Sequence, residues 1–148
     1  MRPLLRGDIE NLQLNSGDFL FLDSVSVLHP GHKAVGHWYL DHDFWIFDLH
    51  FPGRPILPAS FLLESMSQLS GLTYCAREGF QRTEYNTVEV ERFKVKAPSF
   101  PGDRLDVFVQ TLKYRRGVID IEGRIECEKS VRAMGFLRLV SKSEFLVK

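Results

Sequence analysis

Residues 50–77 read His50-Phe51-Pro52-Gly53-Arg54-Pro55-Ile56-Leu57-Pro58-Ala59-Ser60-Phe61-Leu62-Leu63-Glu64-Ser65-Met66-Ser67-Gln68-Leu69-Ser70-Gly71-Leu72-Thr73-Tyr74-Cys75-Ala76-Arg77. Pro52, Pro55 and Pro58 each fix φ and lack a backbone donor, so residues 51–58 cannot be helix interior. Gly53 permits a turn among them. After Pro58 the breakers stop, and Ala59 to Arg77 is expected to form about five turns of helix. Phe61, Leu62, Leu63, Met66, Leu69, Leu72 and Cys75 surround most of its circumference, which marks a helix buried on nearly every side.

One strip of this helix is polar. Ser60, Glu64, Ser67, Gln68 and Gly71 fall at i, i+4, i+7, i+8 and i+11 and share a face. A carboxylate on a buried helix costs several kcal/mol unless it is paired or neutral. Glu64 therefore needs a reason, and so does His50 ahead of the proline-stiffened loop. The two residues fit an acid–base pair beside an electropositive helix N-terminus. They also fit a capping loop and a core helix whose glutamate reaches solvent. The residues alone leave both readings open.

Outside this stretch the sequence reads as sheet. Phe19 to Leu28 is rich in β-formers, and His29-Pro30-Gly31-His32 turns the chain into a returning strand from Ala34 to Leu40. Asp8 is expected to start a short helix over 8–14, and Asn15-Ser16-Gly17-Asp18 to turn. Asp41-His42-Asp43 is expected to cap one helical turn through Phe47, and Glu78 to Asn86, with Gly79, to form an exposed loop. Further strands are expected over Thr87–Ala97, Leu105–Tyr114, 119–128 and Val131–Val140, with turns at 98–103, 115–117 and 128–130. In 119–128 the alternation is strict. Ile119, Ile121, Gly123, Ile125 and Cys127 take one face, and Asp120, Glu122, Arg124, Glu126 and Glu128 the other. That is a sheet with one dry and one wet face. One long buried helix with about six antiparallel strands packs most economically when the sheet wraps the helix. The expectation is an α+β fold, the hot-dog arrangement, as a single domain over residues 1–148.

Composition bounds the function. The 148 residues suit one core, and 44% are hydrophobic. Basic and acidic residues number 19 each, so the net charge is zero, which argues against nucleic acid as the main partner. Twelve phenylalanines could fill a core or line an apolar channel. Cys75 and Cys127 are expected as buried free thiols, which suits a reducing, cytoplasmic setting. The first eight residues hold no apolar secretory segment, and no run of ~18 apolar residues predicts a membrane span. His37, His42 and His50 with Asp41, Asp43 and Asp48 fit no standard ligand spacing, so no metal site is expected.

The motif His50-Phe51-Pro52-Gly53-x-Pro55-x-x-Pro58, followed by Glu64-x-Met66-x-Gln68, resembles the signature of the (3R)-3-hydroxyacyl-acyl-carrier-protein dehydratases of bacterial type II fatty-acid synthesis. Lys94-x-Lys96-x-Pro98-x-x-Pro101-Gly102-Asp103 resembles a second block of that family, and Arg115-Arg116-Gly117 falls at a family turn. The likeness runs from about residue 8 to 140. It implies a hot-dog fold, a homodimer often assembled as a trimer of dimers, and dehydration of 3-hydroxyacyl-carrier-protein to the trans-2-enoyl thioester. No cofactor is implied. It makes His50 and Glu64 catalytic, with Glu64 contributed by the other protomer and supported by Gln68. Pro52, Gly53 and Pro58 shape the loop, and the N–H of Ala59 polarises the thioester carbonyl. Lys94 and Lys96 would receive the acidic carrier protein with its phosphopantetheine; a wet sheet face is the plainer account of them. Glutamate at position 64 places the chain with members that dehydrate without isomerising.

Three departures make it a diverged member, suited to a specialised lipid pathway. Ala59 stands where the family usually has glycine. Asn15-Ser16-Gly17-Asp18-Phe19 replaces Pro-His-Arg-x-Pro-Phe, and Asp41-His42 replaces Asn-Glu. A hot-dog thioesterase, with Glu64 activating water, and a non-catalytic acyl-binding subunit are the alternatives. The intact His50–Glu64 pair speaks against the second of these, and the proline-rich histidine loop against the first.

Overall fold

A computed structural model describes residues 2–78 and 82–142. Part of the loop expected over Glu78 to Asn86, namely 79–81, lies outside the described residues. The elements are β1 (Leu4–Leu5), α1 (Arg6–Leu12), β2 (Ser24–His29), β3 (Lys33–Tyr39), α2 (Ala59–Cys75), β4 (Tyr85–Val95), β5 (Arg104–Arg115), β6 (Val118–Cys127) and β7 (Ser130–Ser141), with short 3-10 turns at Gly17–Phe19 and Trp45–Asp48. The strands form one antiparallel sheet in the order β1-β2-β3-β5-β6-β7-β4. The seven strands exceed the expected six because Leu4–Leu5 adds a two-residue edge to β2.

The sheet wraps α2, which packs against β3, β4, β5, β6 and β7. The alternation in the sequence decides what faces it. Leu105, Val107 and Val109 on β5, Ile119, Ile121 and Ile125 on β6, and Ala133, Leu137 and Leu139 on β7 are all buried. Leu62, Met66, Leu69 and Leu72 of α2 meet them in one core. Each buried Val, Leu, Ile or Met side chain among them contributes roughly 1.5–3 kcal/mol by leaving water. Gly123 is a point of close approach: a Cβ there would sit 2.5 Å from the Met66 sulfur. The glycine on the dry face of 119–128 is thus space for the helix.

Two N-terminal expectations change. Helix α1 begins at Arg6, and Asp8 acts as its third residue, accepting the Leu5 N–H at 2.9 Å. Phe19 to Leu28 is not one strand; only Ser24–His29 pairs in the sheet. The reason lies on α2. The Gln68 side chain accepts the Phe21 N–H at 2.8 Å and donates to the Phe19 carbonyl at 2.9 Å, so that backbone is committed to a helix side chain. The turn at 115–117 holds: Arg116 and Gly117 adopt φ of 49° and 78° and join β5 to β6 as a tight hairpin.

Candidate active site

The proline loop folds as its composition dictates. Phe51 and Arg54 exchange backbone hydrogen bonds at 3.0 and 2.9 Å across Pro52 and Gly53. Gly53 has φ 73°, the conformation that a turn with proline second and glycine third requires. The His50–Phe51 peptide bond is cis. The Ile56 N–H returns to the His50 carbonyl at 2.9 Å, and the Ile56 carbonyl accepts from His50 Nδ1 at 2.9 Å. A carbonyl only accepts, so Nδ1 carries the proton of the neutral ring and Nε2 keeps its lone pair. The half-buried ring lies against Phe51, with centroids 3.9 Å apart. Among the described residues Nε2 has no hydrogen-bond partner.

Pro58 is the N-cap of α2 and its carbonyl accepts the Phe61 N–H at 3.0 Å. No side chain caps this end, and among the described residues the Ala59 and Ser60 N–H groups have no acceptor. They stand free at the positive end of the helix, where an anionic oxygen is favoured. Ala59 is exposed and sits in the first helical turn, outside the left-handed region. The backbone there does not depend on glycine.

Glu64 lies one helical turn further. Its Oε1 accepts a hydrogen bond from Gln68 Nε2 at 3.1 Å, and no cation pairs with it among the described residues. Burial pushes its carboxyl above the ordinary glutamate value, and the Gln68 bond only partly opposes this. Gln68 is 4% exposed and its amide is fully used, with the oxygen on Phe21 and the nitrogen on Phe19 and Glu64. Four residues of the polar helix strip, Glu64, Ser67, Gln68 and Gly71, line a cavity of about 370 Å³ between α2, residues 13–15 and the start of β4. Ser60 stays exposed outside it.

Gln68→Leu tests this arrangement. The substitution leaves the buried Phe21 N–H unpaired, at a cost of roughly 1–3 kcal/mol. It also removes the Gln68 bond that favours the Glu64 carboxylate. The expected outcome is a lower melting temperature and a carboxyl that titrates at still higher pH, read by thermal melts and carbon-13 NMR of the glutamate carboxyls.

His50 and Glu64 do not meet within one chain: among the described residues no hydrogen bond joins them, and the cavity beside Glu64 is not lined by His50. Lys94 and Lys96 are exposed. Lys94 pairs with Met134 and rims a second cavity of about 690 Å³ on the outer face of the sheet, with a floor that includes Phe108 and Phe136. His37 bridges Asp106 and Ser26 at 2.7 Å each, and the His42 ring lies beside Gly102.

Sequence reasoning missed Arg132. It donates to the Pro98 carbonyl at 2.7 Å and to Asp103 at 2.8 Å. By parity it belongs to the wet face of its strand, and nothing in the pattern separates it from a surface arginine.

The chain matches known proteins over most of its length. A family model described as "FabA-like domain" matches residues 14–133. Relatives named 3-hydroxyacyl-[acyl-carrier-protein] dehydratase FabZ include that of Geotalea uraniireducens, 32% identical over 108 residues, covering 72% of this chain and 74% of that protein. The one from Syntrophotalea carbinolica is 29% identical over 135 residues, covering 90% and 91%. Among solved structures, the dehydratase heterocomplex ApeI:P from Xenorhabdus doucetiae superposes with TM-score 0.80 at 17% identity, covering 93% of this chain and 94% of that one. A hypothetical thioesterase with coenzyme A from Streptococcus pneumoniae superposes with TM-score 0.61 at 11% identity, covering 80% and 84%. These two likenesses establish the hot-dog fold.

Proposed function

The chain belongs to the FabA-like family, and on that premise we propose that it dehydrates (3R)-3-hydroxyacyl thioesters held on acyl carrier protein to trans-2-enoyl thioesters. The observation that carries the assignment of roles is Glu64, a carboxyl held toward its protonated form by burial and bonded, among the described residues, to Gln68 alone. The reaction must remove a weakly acidic proton α to the thioester and expel the β-hydroxyl.

His50 Nε2 takes the α-proton, because the bond from Nδ1 to the Ile56 carbonyl keeps that lone pair free. The thioester oxygen gains charge as the proton leaves, and the free N–H groups of Ala59 and Ser60 stabilise it. Glu64 gives its proton to the departing hydroxyl, so the C–O bond breaks to water. The imidazolium and carboxylate that remain exchange one proton to reset the site. Each proton is held by a side chain of the protein.

The working site joins His50 of one protomer to Glu64 of another. In support, among the described residues no hydrogen bond joins the two groups within one chain, and each keeps an unused reactive atom. The assembly is a homodimer or a trimer of such dimers. Among the described residues no helix is long and apolar enough to cross a membrane. The two buried free cysteines suit a cytoplasmic setting.

Lys94 and Lys96 receive the carrier. Reversing both charges is expected to raise KM for a carrier-bound substrate about tenfold at low salt, and to leave a small pantetheine thioester unchanged. Equal losses on both substrates would confine these lysines to the fold. The function itself is tested by supplying a (3R)-3-hydroxyacyl carrier protein and identifying the product. Enoyl thioester is expected; free carrier thiol would mark a thioesterase, and unchanged substrate a binding protein.

A further inference from the structure

Arg132 of β7 is largely buried, with its side chain 17% exposed. Its Nη1 donates to the Pro98 carbonyl at 2.7 Å and to Asp103 Oδ2 at 2.8 Å, and reaches Ser99 Oγ at 3.4 Å. Its own carbonyl accepts the Lys96 N–H at 2.8 Å. One residue thus grips both ends of the 96–103 segment. Asp103 completes the hold: Oδ2 also accepts the Phe100 N–H at 2.9 Å, and its carbonyl accepts the Leu40 N–H at 2.9 Å.

The segment so held presents one backbone group to the histidine loop. The Ser99 carbonyl accepts the Leu57 N–H at 2.9 Å, and Ser99 and Leu57 are 1% and 4% exposed. Leu57 is bonded in sequence to Ile56, whose carbonyl accepts the hydrogen bond from His50 Nδ1. From the guanidinium to the imidazole the path is therefore the hydrogen bond to the Pro98 carbonyl, the buried Ser99, the Leu57–Ser99 hydrogen bond, the Ile56–Leu57 peptide unit and the His50–Ile56 hydrogen bond. A carbonyl displaced by part of an ångström weakens this last bond, because hydrogen bonds depend on distance and angle.

The geometry points to Arg132 as a positioning residue for His50. It fixes the Ser99 carbonyl, which fixes Leu57, and with it the Ile56 carbonyl that keeps the imidazole in its Nδ1–H tautomer. The role rests on His50 being the base of the proposed reaction. Arginine suits the task because the two hydrogens of Nη1 are fixed in the guanidinium plane and serve the Pro98 carbonyl and the Asp103 carboxylate at once, whereas the lysine ammonium rotates freely on a flexible stem.

The test uses Arg132→Met and Arg132→Lys in the full chain. Turnover is measured on a carrier-bound hydroxyacyl substrate, and the His50 tautomer by nitrogen-15 NMR of the imidazole. For Arg132→Met, kcat should fall about tenfold while KM stays within about twofold, the pattern of a misplaced catalytic group. The ring should change from one tautomer to a mixture, and Arg132→Lys should lie between the two. Where Arg132→Met does not fold, Arg132→Lys is read in its place. A folded variant with a lower melting temperature, wild-type kcat and a pure Nδ1–H tautomer overturns the positioning role, as does a wild-type ring lacking that tautomer. A wild type that forms no enoyl product instead defeats the proposed reaction, and the tautomer still judges Arg132 by itself.

Discussion

Glu64→Gln is expected to reduce dehydration by about 10²–10⁴-fold, the range over which a positioned acid acts. Glutamine keeps the length of the side chain and an oxygen for the Gln68 bond, but has no proton to give to a departing hydroxide. The folded protein should be at least as stable as wild type, with a pH dependence whose sign follows from burial. Glu64 titrates above its ordinary value of 4.5 when folded. A group raised in the folded state contributes stability that is fully present below the unfolded value and is lost as pH rises through the folded value. Glutamine does not titrate, so the variant should gain on wild type as pH climbs above 4.5 and match it below. Turnover with melting curves at acidic and neutral pH checks both halves. Near-wild-type turnover by folded Glu64→Gln would remove the acid role.

His50→Asn should cost turnover on the same scale, since a general base is worth a similar factor. Asparagine is the informative replacement. Its amide nitrogen stands near the place of Nδ1 and can still donate to the Ile56 carbonyl, while nothing stands in place of the Nε2 lone pair. His50→Ala loses the donor as well, and should be less stable than His50→Asn by about 1 kcal/mol. Turnover and denaturant melts of the two variants separate the base from its anchor. Equal stability with equal loss of activity would show that the Ile56 bond carries little weight in the folded loop.

The helix and its loop were legible because proline and glycine act locally. Pro52, Gly53 and Pro58 constrain their own dihedrals, and the structure has the turn at 51–54 and the helix start at Ala59 where those constraints put them. The strict alternation over 119–128 likewise shows which side chains of β6 face α2. Hidden features depend on partners distant in sequence. Phe19 to Phe21 has the composition of a strand, and the side chain of Gln68, 47 residues after Phe21, takes the Phe21 N–H and the Phe19 carbonyl away from the sheet. Arg132 has the parity of a solvated residue and is recruited by a turn 29 residues earlier, at Asp103. Ala59 shows the reverse: a departure from the family's glycine that the ordinary helical backbone absorbs.

The site shared between protomers is the central claim, and mixing the two dead variants tests it. In a dimer joining a His50→Asn protomer to a Glu64→Gln protomer, one of the two sites pairs an intact His50 with an intact Glu64. Random exchange at equal concentrations makes about half of the dimers mixed, so about one quarter of wild-type activity should return. Exchange is verified separately, by mass spectrometry of differently tagged protomers. Recovery near that level is the expected result; no recovery in a sample with proven mixed dimers would contradict the account, and would place both catalytic groups within one chain.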